Sequence, residues 1–518
     1  MSPTRLIRIF IVAFVIAAVG PAWTDAKADA GKQLAAVFAS SDEINLKLVP
    51  QSGLSRGDLR YADQFGDLIS DEFHKANEKS ARDDLAALLR VDRNALNGND
   101  KMAYDAFKYG VEYIIKSYDE GLYKIGQMLP LDSVFGAHIQ FSQVNSGAGI
   151  APFNTVQDYE NGLKRIVGFV VYLDRAEQMM RRGIAQKITQ PRAITQAVAE
   201  QLDEAIKGGV ENSPFIGPVQ NFPKDFSAAE QTRLSAAYRA AVKERILPAY
   251  VKLKKFMDGE YLIASRAGTP GLVGIPNGAA YYKYVLESFL TVSISPDKIF
   301  TDGEKEVARI RAEMEAVKKK VGFKGTLGEF FEDIRTNPKF KIASKTEFFA
   351  RYDAIKAKVE PLLPKYFGTM PKAKLEIREI PADQSASSGW AYYQLGAADG
   401  SRPGVFYANV ANLPARTTPR MTALFLHEGE PGHHFQGSVA QENESLPAFL
   451  RFGFQVAPGE GWALYAESLG TEMGLYADPY QYFGRLDMEM LRAVRMVIDT
   501  GLHAKGWTRQ QAVDYMLE

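Results

Sequence analysis

The stretch LHEGEPGHHFQ, residues 426–436, starts as a helix would and breaks off in mid-turn. His427 and Glu428 stand side by side, and four residues after His427, where a helix returns to the same face, the chain has Pro431. Proline lacks the amide hydrogen that would bond to the carbonyl of His427. Its ring also clashes with that carbonyl, so a regular helix cannot run through it. Gly432 makes a distortion cheaper still. Of the six histidines in 518 residues, three (His427, His433 and His434) fall in this one stretch, and that concentration asks for a chemical reason.

Two imidazoles at i and i+4 of a helix converge on a zinc ion, and a glutamate at i+1 then sits beside the open coordination position. With proline at i+4, two substitutes remain. On an undistorted helix His434 falls about 20° from the His427 face but about 10.5 Å further along the axis, and His433 falls about 120° off. A bulge that absorbs one or two residues at the proline restores His433 to the i+4 phase. His433 is therefore the preferred second ligand and His434 the alternative, otherwise a residue that supports the site or faces substrate. The bland reading is a helix with one buried and two exposed histidines beside an accidental glutamate.

A catalytic zinc keeps three protein ligands and one open position. The stretch GEGWALYAESLGTEMG, residues 459–474, supplies a carboxylate in the right order along the chain: Glu460, at the start of an amphipathic helix. It is similar to the Asn-Glu-Gly-Phe segment with which thermolysin-like and aminopeptidase zincins present their glutamate. Glu467, two turns on, is read as holding a ligand from behind. The plainer roles are a carboxylate at a helix N-terminus for Glu460 and a solvated one for Glu467.

The rest of the chain bounds these readings. Lysine plus arginine equal aspartate plus glutamate at 62 each, so no general field draws the chain to nucleic acid. There is no cysteine, which excludes a lipoprotein anchor, disulfides, thiolate metal sites and a cysteine nucleophile. Arg5 and Arg8 precede an apolar run over residues 9–19, followed by Ala26-Lys27-Ala28. This reads as a signal peptide over residues 1–28, cut after Ala28, since the run is well short of the roughly 20 residues that span a bilayer. A periplasmic or secreted protein with no membrane attachment after cleavage is expected.

From residue 30 to about 366 apolar residues recur at three- and four-residue spacing, as in residues 302–322. Near Pro371 the texture changes: residues 374–381 alternate as a half-buried strand does, and residues 389–410 read as two strands joined by a turn. Residues 404–410, GVFYANV, have the character of an edge strand. Then Thr418 as cap and Pro419 in the first turn open the helix that carries His427. The expected fold is mainly α (α+β): a large helical cradle with a small β-sheet and a zincin-like pair of site helices lining a cleft. The expected division is a helical scaffold domain over 29–370 and a catalytic region over 371–518.

Residues 427–436, 460–474, 399–410, 495–516 and 274–299 together resemble the bacterial proteins grouped as domain of unknown function 885, a group similar to gluzincin-type zinc metallopeptidases. The resemblance covers most of the chain after the leader and implies a largely helical, cleft-bearing fold around a small sheet. Relatives run on past the point where this sequence stops, into a segment with a Pro-Gly-Gln run and a tyrosine, so the C-terminus is expected to be truncated relative to the family.

The chemistry that follows is hydrolysis of a peptide or small amide. His427, His433 and Glu460 hold one zinc ion, and Glu428 takes a proton from water and returns it to the leaving amine. His503 and Arg495 are the candidates for stabilising the developing oxyanion, with Asp499 orienting His503 from four residues before it, although an ordinary surface ion pair explains that spacing as well. Tyr407, Asn409, His434 and Tyr465 are candidate substrate contacts, with an extended peptide adding to the edge of GVFYANV. Two rivals remain. Residues 53–57, GLSRG, match the nucleophile elbow of serine hydrolases but lack the strand before and the βα repeats around it. The stronger rival is a non-catalytic periplasmic peptide-binding protein with a structural or absent metal, the fourth position of a closed site being filled by His434.

Overall fold

A computed structural model describes residues 21–380, 385, 389–398, 400 and 402–517, with side chains from residue 29 onward. The apolar run of the expected leader lies outside the described residues, and helix α1 (Pro21–Leu48) runs across the expected cut after Ala28. Among the described residues no helix is long and apolar enough to cross a membrane.

The chain is mainly helical, with one small mixed sheet. Helices start where side chains can satisfy their free N–H groups. Ser70 accepts from Phe73 N–H at the head of α2 (Asp71–Leu88), and Asn97 from Asp100 N–H at the head of α3 (Gly98–Asp119). Thr155 and Asp158 form a reciprocal capping box on α4 (Val156–Gln186). Along α4, Ile166, Phe169, Leu173 and Met180 recur at helical spacing and are buried in the largest apolar cluster. Helices α1 to α3 close a second cluster through Leu34, Leu88 and Phe107. Ser55 of the GLSRG stretch lies inside the short helix Gln51–Arg56 and bonds to Ser52 O, so no strand-to-helix elbow is built there.

Of the helices that follow before the sheet, α5 (Gly278–Leu290) and α6 (Pro296–Lys320) bear on the site. The sheet comprises β1 (Leu375–Glu379), β2 (Ala391–Gln394) and β3 (Gly404–Ala408) in the order β1-β3-β2. Strand β3 runs parallel to β1 and antiparallel to β2. GVFYANV is therefore the central strand, not the expected edge, which explains its nearly continuous burial. Among the described residues the outer strand on that side is β2.

After the sheet come α7 (Met421–Glu428), α8 (His433–Glu442), the short α9 (Ala448–Arg451), α10 (Val456–Glu472) and α11 (Pro479–His503). A 3-10 turn, Thr418–Arg420, leads into α7, and Thr418 makes no side-chain cap; its carbonyl accepts from Gln481 Nε2 instead. All eight residues of α7 are buried, Phe425 against Phe406 of β3 on one side and Leu426 against α10 on the other. Packing crosses residue 370 freely. Ile310 and Met314 of α6 share a core with Phe483 and Leu486 of α11, and Gly303 lets the two helices close to contact at Val497.

The approach of α10 to α7 positions everything that follows. Ala463, Ala466 and Gly470 form the buried face of α10, and a Cβ at Gly470 would sit 2.7 Å from Leu426 Cδ1 and 2.5 Å from Tyr476 Cε2. Small residues allow that spacing, as Gly and Ala do wherever two helix backbones close tightly. Gly470→Val gains helix propensity, ~0.5 kcal/mol, but overpacks this contact, which costs about 1–3 kcal/mol. A net loss of stability is expected in urea denaturation; an unchanged midpoint would mean that the two helices are not held at this distance.

Candidate metal centre

Helix α7 stops at Glu428, and residues 429–432 form a turn containing a cis Glu430–Pro431 bond before α8 begins at His433. The expected bulge in one helix is thus a full break between two. Gly432 packs so tightly under the carbonyls of Leu426 and His427 that any Cβ there would collide with them. Trp462 Nε1 donates to Pro431 O at 2.7 Å, tying the break to α10.

This break turns the two helix ends toward each other. The rings of His427 and His433 stand 4.7 Å apart at 81°. His427 Nε2 is 3.5 Å from Glu460 Oε2, and His433 Nε2 is 3.6 Å from Glu460 Oε1. One ligand atom from each of His427, His433 and Glu460 lies within 4.8 Å of the others. Four ligands at about 2.1 Å from a zinc ion in a tetrahedron stand ~3.4 Å apart. The two histidine-to-carboxylate distances match that edge, so the donor set fits a zinc ion. Among the alternatives left open for the second ligand, the structure brings His433 into the cluster. His434 is wholly buried behind it, Nδ1 at 3.0 Å from Tyr393 Oη and Nε2 at 3.7 Å from Glu430 Oε1, and faces neither the cluster nor the cleft.

Glu467 is buried and stands 2.8 Å from His427 Nδ1. The carboxylate accepts a hydrogen bond from Nδ1–H, which holds the ring with Nε2 turned toward Glu460. Arg492 on α11 places Nη2 3.3 Å from Glu467 Oε1 and 3.1 Å from His427 Nδ1, so the buried carboxylate has a compensating cation. Burial opposes the charge on His427, but hydrogen bonds to Glu460 and Glu467 outweigh it and hold the ring up at about 9. Burial and the neighbouring His427 push His433 down. Glu460 is lowered, chiefly by its bond to His427. Glu428, adjacent to His427 and buried, is pushed up to about 7 by desolvation, with Glu460 and Glu467 adding to the shift and His427 and Arg492 opposing it. This is the environment of a carboxyl group able to exchange a proton near neutrality.

The remaining candidates lie elsewhere. His503 accepts from Leu272 N–H through Nδ1 at 3.1 Å and stacks on Tyr282 at 5.2 Å. It follows Arg492 by eleven residues, about 16 Å along α11. Asp499 accepts from Tyr282 Oη at 2.5 Å instead of steering His503. Arg495 is exposed, and the cation beside the cluster is Arg492, one helical turn earlier. Asn409 is consumed by its own loop: Nδ2 donates to Ser385 O and Gly389 O, and Oδ1 accepts from Ala411 N–H. Tyr407 stacks on Tyr392 across the sheet, and Tyr465 is exposed beside Trp462. Arg492 and Trp462 were in plain view in the sequence, but only the phase of α11 and the path of the break single them out.

The cluster opens into a cavity of about 830 Å³. Its lining includes His427, Glu428, His433 and Glu460 at one end, Tyr392 and Tyr393 of β2 along one side, and residues 446–455 opposite.

The family described as "Bacterial protein of unknown function (DUF885)" matches residues 50–518. Among solved structures the chain is similar to a candidate lipoprotein from Colwellia psychrerythraea, with 24% identity and a TM-score of 0.84 over 94% of this chain and 86% of that one. It is also similar to a candidate lipoprotein of unknown function from Shewanella oneidensis, with 16% identity and a TM-score of 0.63 over 93% of this chain and 86% of the other. At these identities the likeness is one of fold. No curated protein matches.

Two outcomes are expected. Glu467→Ala frees the His427 ring to turn and should weaken zinc affinity about 10- to 100-fold in competition with a chromogenic chelator; an unchanged affinity would remove Glu467 from the centre. Glu430, in the break, is pushed up to about 7 by burial, with Glu360 adding to the shift and Lys356 opposing it. Its protonated form is the one the fold favours. The stability it confers is therefore whole below its unfolded value near 4.5 and lost as the pH rises through about 7, a loss on the order of 3 kcal/mol. Glu430→Gln should consequently exceed the wild type in urea stability at pH 8 and match it at pH 4, and a constant difference across that range would refute this account.

Proposed function

Because the chain belongs to the bacterial family of unknown function DUF885, whose description assigns no activity, we propose from its own side chains that it is an exported zinc-dependent peptidase, hydrolysing peptide or related amide bonds. The observation that carries this reading is the convergence of His427, His433 and Glu460 beside a buried Glu428, with Glu467 behind His427. Two imidazoles and one carboxylate suit zinc best among common divalent ions, and three ligands leave a position open, the pattern of catalytic rather than structural sites. The closed-site alternative needed His434 as a fourth ligand, and His434 is engaged with Tyr393 on the other side of α8.

When bound, the zinc ion supplies Lewis acidity toward the scissile carbonyl. The rest belongs to the protein. Glu428, held near neutrality by burial, accepts a proton from the attacking water on its carboxylate and later delivers it to the leaving nitrogen. Glu467 keeps the Nδ1 proton of His427 in place throughout. Arg492 steadies the Glu467 carboxylate and the ring beside it. An extended peptide would join the sheet at β2, the outer strand among the described residues, whose Tyr392 and Tyr393 line the cavity, in place of the edge expected at β3.

Export is supported by the leader-like sequence of residues 1–28 and by the description of both structural neighbours as candidate lipoproteins, which points to the cell envelope.

Elemental analysis of the purified protein is expected to give one zinc per chain, and hydrolysis of a mixed peptide library should stop on chelation and return with zinc. Glu428→Gln should keep the metal and lose turnover by roughly 10²–10⁴-fold. A chain that holds no metal, or a Glu428→Gln variant as fast as the wild type, ends this reading; metal with no chelator-sensitive cleavage leaves a peptide-binding protein.

A further inference from the structure

Phe454 is 62% exposed and stands beside a candidate metal ligand, its ring 6.0 Å from that of His433 and edge-on at 69°. On its other side it rests on Gly459, where a Cβ would sit 2.5 Å from its ring, so the backbone one residue before Glu460 forms its seat. The ring is thus held between two of the three ligand-bearing segments while its outer face meets solvent. An exposed phenylalanine at this position gains from any apolar group that covers it.

The wall beyond it has the same character. Leu446, Phe449, Leu450 and Phe452 line the cavity with Phe454 on one side, and Leu395 lines it from the end of β2. That wall is braced from behind. Phe449 packs edge-on against Phe38 and Phe107 of the N-terminal helices at 5.2 and 5.4 Å. Phe452 lies between the guanidinium groups of Arg56 and Arg451, at 5.3 and 5.0 Å. Of these three phenylalanines, Phe454 is the exposed one, while Phe449 and Phe452 are half-buried. At about 830 Å³ the cavity is within the range of small-ligand sites, roughly 300–1,000 Å³, so it holds a short peptide segment. The charged residues lining it are Glu428 and Glu460 of the cluster and Arg451, whose guanidinium is bonded to Gln441 O.

We propose that Phe454 and the apolar side chains of Leu446, Phe449, Leu450 and Phe452 are the specificity surface of this site, taking a large aliphatic or aromatic side chain next to the scissile bond of a peptide. This rests on the peptidase reading for the position of the scissile bond, but the preference itself is a property of the cavity and is measurable without turnover. Charged side chains at that position would lose water against an apolar wall and be disfavoured.

The probes are peptides Ala-Ala-Xaa-Ala-Ala with Xaa as alanine, leucine, phenylalanine, glutamate or lysine. They are assayed for kcat/KM with the zinc-loaded protein and for dissociation constants with zinc-loaded Glu428→Gln. Phenylalanine and leucine are expected to exceed alanine by on the order of 10- to 100-fold in both measurements. Phe454→Ala should compress that ratio to within about threefold. Because Phe454 is exposed, its loss does not threaten the fold, and a ratio of substrates is insensitive to the fraction of active protein. Equal values across the set, or a preference for glutamate or lysine, overturns the inference and leaves the peptidase reading intact. An apolar preference in binding without any hydrolysis supports the surface and removes the peptidase. A wild-type preference that survives Phe454→Ala unchanged takes Phe454 out of it.

Discussion

The contact on which the centre depends is the bond between His427 Nδ1 and the buried Glu467 carboxylate at 2.8 Å. A carboxylate in an apolar core is costly unless it is paired, and this one is paired twice, by the imidazole and by Arg492. The pairing requires three helices to meet: α7 for His427, α10 for Glu467, α11 for Arg492. They meet because the buried face of α10 is built from alanine and glycine and can lie against Leu426. Glu460 is seven residues before Glu467, two turns along the same face, so the geometry that places Glu467 behind the ring also carries Glu460 to its front.

Against that rigid frame, the break at residues 429–432 supplies the second imidazole. A continuous helix would have carried His433 and His434 away along the axis. With the chain turned at Pro431 and Gly432 and tied by Trp462, His433 becomes the first residue of a new helix and faces back toward His427. His434 then points to the opposite side, into the sheet at Tyr393. One turn thereby assigns two adjacent histidines to different structures, one to the cluster and one to the core. The same frame sets the cavity, since α9 and the segment that follows it run from the N-terminal helices back to Gly459 and carry Phe454 to the ligand His433.

Much of this was legible in the residues. The helical first half, the small sheet after Pro371 and the meeting of His427 with Glu460 follow from spacing and residue chemistry. What failed did so for identifiable reasons. GVFYANV was taken for an edge strand because its short alternation fits either place, and strand order depends on which partner arrives from outside the local sequence. Arg495 and His503 were chosen from a helix that also offers Arg492, and the burial of Ala493 and Val497 sets the phase that puts Arg492, three residues before Arg495 and eleven before His503, beside the cluster. Asn409 had the chemistry to bind a peptide backbone but is saturated by the loop before β2, a fact about a distant segment.

The sequence by itself determined which atoms were available: three imidazoles around a helix-breaking proline, a carboxylate ahead of a small-residue stripe, and no thiol to compete with them. Only the tertiary structure decided which of those atoms share one volume of space, because convergence within 4.8 Å rests on how closely helices can pack and on where a broken chain resumes. Both are set by contacts between residues far apart in the chain, and no local spacing encodes them.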